Sequence, residues 1–148
     1  MTGTVVLAAG GTGGHLVPAV AIAEAIHRLE PDTAIVFVGT SRALDDELVR
    51  GAGYTAYATS VRPFSRSPRG LLAPMSLVPA SVQARRILRS ARASVAVGMG
   101  GYPSVPVIVG ARWAGVPSVI HEANAVPGLA NETAAAFTRN VAISFEPA

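Results

Sequence analysis

Residues 4–15 read TVVLAAGGTGGH, an apolar run, Thr4–Ala9, that passes directly into four glycines and a histidine. The run does not alternate, as expected of a strand covered on both faces. A glycine-rich turn from strand into helix lets the backbone approach a ligand closely. The helix start adds unpaired N–H groups and the positive end of a dipole, the ordinary means of holding a phosphate. A tight turn with no ligand is the plainer reading of one such loop.

The chain downstream repeats the alternation. A helix opening near Val17, with Pro18 at its start, carries Ile22, Ile26 and Leu29 at i, i+4, i+7, and Glu24 and Arg28 on another face. Ala34–Val38 reads as a second buried strand. Thr40 or Ser41 caps a helix whose first turns hold Asp45, Asp46 and Glu47, and which Gly51 and Gly53 end. Tyr54–Val61 reads as a third strand, before the irregular stretch RPFSRSPRGLLAP at 62–74. A helix over Ser76–Arg92 has Val82 and Leu88 among its apolar positions, with Arg85, Arg86, Arg89 and Arg92 along its polar side.

Ser94–Val97 leads into a second glycine loop, Gly98-Met99-Gly100-Gly101-Tyr102, and a helix from Val105 to Ala114 stopped by Gly115. Pro117–Ile120, His121-Glu122-Ala123-Asn124, a helix near Gly128–Phe137 and a strand at Val141–Ser144 complete the pattern. Short connections between alternating strands and helices predict an α/β fold, a Rossmann-like parallel sheet with helices on both faces. Ligands then bind beyond the carboxyl ends of the strands. The three loops GGTGGH, GMGGY and HEAN each follow a strand and should converge there.

Composition narrows the chemistry. Half of the 148 residues are hydrophobic and 14% are charged, enough for one domain with a sizeable core. There is no cysteine, hence no disulfide framework or thiolate zinc site. All twelve basic residues are arginine, which removes Walker A loops, Schiff-base enzymes and protein kinases, all of which need a lysine. A net charge of +3 suits anionic partners, yet no arginine cluster is interleaved with stacking aromatics, so nucleic acid is not expected. The uncharged stretches 2–23 and 93–111 are broken by glycine and proline and do not read as a signal peptide or a spanning helix.

Dinucleotide binding fits poorly. Gly11-x-Gly13 is followed at the sixth position by Leu16, and the second strand ends in Val38-Gly39-Thr40 with no acid for a ribose. His15 reads either as a structural helix-start residue or as a base, since a helix N-terminus disfavours imidazolium. His27 reads as solvated surface and His121 as a packed strand residue. Asp45, Asp46 and Glu47 look like an acidic helix start, with no Asp-x-Asp pair to hold a metal. Glu122 and Asn124, two apart at a strand end, can point the same way.

Four segments together resemble the MurG glycosyltransferase family. They are GGTGGHLVPAVAIAEAI (10–26), GT followed by an acidic helix ending in LV (39–49), VGMGGYPSVP (97–106) and GVPSVIHEANAVPGLAN (115–131). Their order and spacing match from about Val5 to Phe145. The resemblance implies transfer of N-acetylglucosamine from UDP-GlcNAc to the C4 hydroxyl of the muramoyl sugar of lipid I, forming lipid II for peptidoglycan. It implies the GT-B fold, two Rossmann-like domains with the active site between them. By this resemblance residues 1–148 are expected to be the N-terminal, acceptor-side domain without the C-terminal donor-binding domain, and the 148 residues are not expected to turn over alone.

Carried over residue by residue, the resemblance makes His15 the base and puts Thr12, Gly13, Gly14 and Asn124 against UDP-GlcNAc. Gly11, Gly100, Gly101, Tyr102 and Glu122 face the polyprenyl-diphosphate acceptor. No metal or other cofactor is implied. The partners are the lipid-linked muramoyl peptide, a donor-binding domain or second chain, and an anionic membrane surface. The protein would sit peripherally on the cytoplasmic face of the cell membrane. Arg62, Phe64, Arg66, Arg69, Leu71 and Leu72 are the expected membrane contacts, their arginines and apolar side chains suiting an anionic leaflet. A loop folded onto its own core is the alternative for them. The sequence departs from the family at Leu48-Val49-Arg50, where LVP is usual, in the lysine-free loop 62–69, and at Ala123, where a glutamine is common. A separate subunit of a two-chain transferase, an excised acceptor-binding domain and a non-enzymatic anion-binding module are the alternatives.

Overall fold

The computed structural model describes residues 3–10, 13–41, 49–62 and 73–146. In order these form β1 (Thr4–Ala8), α1 (Gly13–Leu29), β2 (Ala34–Gly39), β3 (Thr55–Ala58), α2 (Ala73–Ser90), β4 (Ala93–Gly98), α3 (Ser104–Ala114), β5 (Ser118–Glu122), α4 (Leu129–Ala134) and β6 (Val141–Ile143). The acidic segment with Asp45, Asp46 and Glu47 lies outside the described residues. Its end is helical at 49–51, where Gly53, at φ +86°, donates its N–H to the Arg50 carbonyl.

All five strand pairings are parallel, in the order β3-β2-β1-β4-β5-β6. The unbroken apolar character of β1 is explained by its place. It pairs with β2 on one side and β4 on the other, and Val6, Leu7 and Ala8 are wholly buried. One face of the sheet presents Leu7, Ile35 and Phe37 to Leu16, Ala19 and Ala23 of α1. The opposite face presents Val6, Ala8, Val38 and Ala96 to Ala84 and Leu88 of α2 and Val107 and Ala111 of α3. Alternate residues of one strand thus feed two cores, each large side chain contributing about 1.5–3 kcal/mol. Ile108, Ile120 and Ala134, with Phe137 against them, bring α4 onto the same layer as α3. Gly110 lets α2 and α3 touch backbone to backbone: a Cβ there would lie 2.8 Å from the Arg85 nitrogen and 2.9 Å from the Ser81 oxygen.

Several expected boundaries shift. α1 opens at Gly13, so Pro18 sits inside the helix and forgoes one i→i−4 bond, to the carbonyl of Gly14. Its core stripe is Leu16, Ala19 and Ala23, while Leu29 is 81% exposed, because small alanines bring the helix closer to the sheet than a leucine ridge would. α2 begins at Ala73, three residues earlier than expected, with Pro79 inside. Val82 is only partly buried, whereas Ala80, Ser81 and Ala84 are buried. β3 is an edge strand of four residues, and α4 stops at Ala134 before a looser turn through Phe137. His27 is not solvated: its Nε2 is 3.0 Å from the Thr33 carbonyl and its ring lies 5.6 Å from Tyr54.

Candidate functional site

The strand order reverses direction between β1 and β4, so the two glycine loops leave neighbouring strands on either side of a switch point, where open parallel sheets bind ligands. Their separation is fixed by the ladder: Ala8 pairs with Gly98, and Met99 donates its N–H to the Ala8 carbonyl at 2.8 Å. Met99, almost wholly buried, anchors the second loop in the α1-side core. Gly100 and Gly101 then adopt φ +90° and +72° in succession. A side chain at either position is strained, and also obstructed.

A Cβ on Gly100 would lie 2.9 Å from His15 Nδ1, and one on Gly101 would lie 3.1 Å from His15 Cδ2 and 2.9 Å from the Gly10 carbonyl oxygen. The imidazole of the first loop therefore packs on the bare backbone of the second. Both helices that follow point their N-termini here. α1 starts at Gly13, which places His15 in its first turn. α3 starts at Ser104, whose N–H (3.2 Å) and hydroxyl (2.7 Å) both reach back to the Gly101 carbonyl and hold the turn.

The third loop is organised by Glu122, which is 5% exposed. Oε1 accepts the backbone and side-chain N–H of Asn124, at 2.9 and 2.8 Å. Oε2 accepts the Gly128 N–H at 3.1 Å and Asn131 Nδ2 at 2.8 Å. Burial alone would raise the carboxyl pKa, but the hydrogen bonds from Asn124, Asn131 and Gly128 outweigh it and hold the group at about 2. Glu122 is thus an ionised brace that ties down both the backbone and the side chain of Asn124. Asn131 Nδ2 also lies 3.6 Å from the Gly100 Cβ position. The first and second loops therefore meet at Gly100, and the third is tied to them through Asn131 of α4, which Glu122 holds.

Of the site residues expected from sequence, His15, Gly100 and Gly101 come together, Gly13 and Gly14 open the helix beside them, and Tyr102 is partly exposed next in line. Glu122 and Asn124 stand in the adjoining loop. Gly11 and Thr12 lie outside the described residues, as do Phe64, Arg66, Arg69, Leu71 and Leu72. Arg62 is exposed, and its N–H donates to Ser76 Oγ. His121 sits at the rim, with Nε2 3.1 Å from Ser144 Oγ. Among the described residues no group of His, Asp or Glu is placed to hold a metal ion, and no helix is long and apolar enough to cross a membrane. Ser104 and Asn131 were not singled out by sequence. The signal for Asn131 was the lone acid in HEAN, since a buried carboxylate requires several donors nearby.

Comparison with known proteins places these loops in context. A family model described as the glycosyltransferase family 28 N-terminal domain matches residues 5–143. The chain is 47% identical over 144 residues to a protein of Paenarthrobacter aurescens (strain TC1) named UDP-N-acetylglucosamine–N-acetylmuramyl-(pentapeptide) pyrophosphoryl-undecaprenol N-acetylglucosamine transferase, a match covering 96% of this chain and 39% of that protein. A protein of the same name from Nocardioides sp. (strain ATCC BAA-499 / JS614) is 44% identical over 143 residues, covering 95% and 39%. The crystal structure of Acinetobacter baumannii MurG superposes with a TM-score of 0.85 at 26% identity, over 98% of this chain and 42% of that one. The chain spans about two fifths of the length of the curated relatives it matches.

Proposed function

From the premise that this chain belongs to glycosyltransferase family 28, as its N-terminal domain, we propose that it is the acceptor-side half of an inverting N-acetylglucosaminyltransferase that converts lipid I to lipid II. The observation that carries the reading is the meeting of His15 with Gly100 and Gly101 at the carboxyl edge of the sheet. A base set among bare glycine backbone and two helix N-termini suits a reaction with a hydroxyl to deprotonate and a diphosphate close by. In that reaction the acceptor C4 oxygen bonds to C1 of N-acetylglucosamine, the bond from C1 to the diphosphate oxygen breaks with its electrons leaving on UDP, and the hydroxyl proton passes to His15.

Thr12, Gly13, Gly14 and Asn124 contact UDP-GlcNAc in this reading. Gly11, Gly100, Gly101 and Tyr102 receive the acceptor diphosphate, whereas Glu122, expected on that side, has both oxygens taken by Asn124, Gly128 and Asn131 and acts on the donor side by fixing Asn124. Val17, Val126 and Leu129, 61–76% exposed along the same edge, fit a surface that a donor-binding domain covers. We expect no transfer from UDP-GlcNAc by the 148 residues alone. Transfer should appear when they are joined to the remaining length of the Paenarthrobacter aurescens relative, assayed with a polyprenyl-diphosphate muramoyl acceptor. A joined enzyme that folds and binds UDP-GlcNAc yet transfers nothing would remove the reading.

The same reading places the protein peripherally on the cytoplasmic face of an anionic membrane. Its support is Arg62 beside a helix start at which Met75 and Val78 are 73% and 60% exposed. The chain should co-sediment with vesicles containing phosphatidylglycerol and be released by added salt. Equal sedimentation with neutral vesicles would count against an electrostatic contribution.

A further inference from the structure

Among the described residues four buried side-chain polar atoms have no hydrogen-bond partner, and two of these, His15 Nδ1 and Asn131 Oδ1, belong to the side chains that meet at Gly100. The orientation of the Asn131 amide is forced. Its nitrogen gives both hydrogens to groups that only accept, the Glu122 carboxylate at 2.8 Å and the His121 carbonyl at 3.1 Å. A flipped amide would set oxygen against two oxygens. The remaining atom, Oδ1, is therefore a pure acceptor, in a residue 5% exposed. His15 Nδ1 donates in one neutral tautomer and accepts in the other. A single proton held directly between these two atoms requires the Nδ1–H tautomer, because Oδ1 can only accept.

We propose that Asn131 is a positioning residue: braced by Glu122, its Oδ1 holds His15 as the Nδ1–H tautomer and leaves the lone pair on Nε2 for the reacting hydroxyl. The chain of contacts runs from the carboxylate through the amide to the imidazole, so a fixed charge in the third loop sets the proton position in the first. Gly100 keeps the path open, because any side chain there would fill it. The catalytic meaning of the arrangement rests on the reading of His15 as the base. The tautomer itself does not.

Two-bond proton–nitrogen correlation spectra of the ¹⁵N-labelled 148-residue chain, recorded without substrate at a pH where the rings are neutral, report which ring nitrogen of each histidine carries the proton. His27 is an internal reference for the opposite state, since its Nε2 faces a carbonyl at 3.0 Å and must donate. The expected result is His15 protonated on Nδ1, with Asn131→Ala reversing the ratio of its tautomers while His27 is unchanged. His15 found as the Nε2–H tautomer in the unsubstituted chain overturns the proposal without any variant. So does a folded Asn131→Ala chain that keeps Nδ1–H. An expected tautomer combined with undiminished turnover of His15→Ala in the joined enzyme would leave the geometry standing and remove the base reading instead.

Discussion

His15→Ala lowers kcat of the joined enzyme by about 10²–10⁴-fold, the usual contribution of a positioned general base, with a much smaller change in the KM for UDP-GlcNAc. The separation of the two constants follows from where the imidazole sits. It lies against Gly100 and Gly101 of the second loop, on the side assigned to the acceptor, and it acts on a proton that moves only in the transition state. The thermal midpoint of the 148-residue chain should stay close to that of the parent, because the ring is only partly buried. Steady-state kinetics with varied donor at saturating acceptor read the effect. An unchanged kcat would reduce His15 to a helix-start residue that shapes the loops. A loss confined to KM would make it a binding group.

Much of this architecture was legible because its determinants are local. The non-alternating Thr4–Ala9 run identified a strand buried on both faces, and β1 is the strand paired on both sides with Val6, Leu7 and Ala8 buried. Three loops following three parallel strands implied one shared edge; the contacts at Gly100 join the first two directly, and the third reaches them only through Asn131 of α4. Errors arose where tertiary packing overrides local preference. Pro18 marks a helix start on propensity alone, yet α1 extends to Gly13, since a proline early in a helix forfeits a single bond while Leu16 gains a buried position. Leu29 completes an apolar stripe on paper and lies in solvent, because α1 meets the sheet through Ala19 and Ala23. His27 looked polar-facing, but its partners, the Thr33 carbonyl and Tyr54, come from the chain beyond its own helix. Asn131 escaped notice for the same reason: its role is defined by Glu122 and Gly100, nine and more residues away, and nothing in a lone asparagine announces it.

Glu122→Gln should destabilise the chain at neutral pH by about 3 kcal/mol and remove most of its sensitivity to acid between pH 4.5 and 2. The carboxyl is held at about 2 against an ordinary 4.5, by hydrogen bonds from Asn124, Asn131 and Gly128 that overcome the opposing effect of burial. At about 1.4 kcal/mol for each pH unit, that depression corresponds to roughly 3 kcal/mol. Because the folded-state value is the lower one, the contribution is complete above pH 4.5, where the unfolded chain is also ionised. It is lost as the pH falls toward 2 and the folded carboxylate takes up a proton. Glutamine keeps the shape but offers one acceptor where four N–H groups arrive, and its own NH₂ must face donors. Urea unfolding at pH 6.5 and pH 3 measures the consequence: the gap between parent and variant should be wide at the first and narrow at the second. Equal gaps would mean that the carboxylate carries no such linkage. The same brace holds Asn124 by two bonds to Oε1, so the joined enzyme carrying Glu122→Gln should also show a raised KM for UDP-GlcNAc at neutral pH, through a loop that is displaced rather than a contact that is deleted.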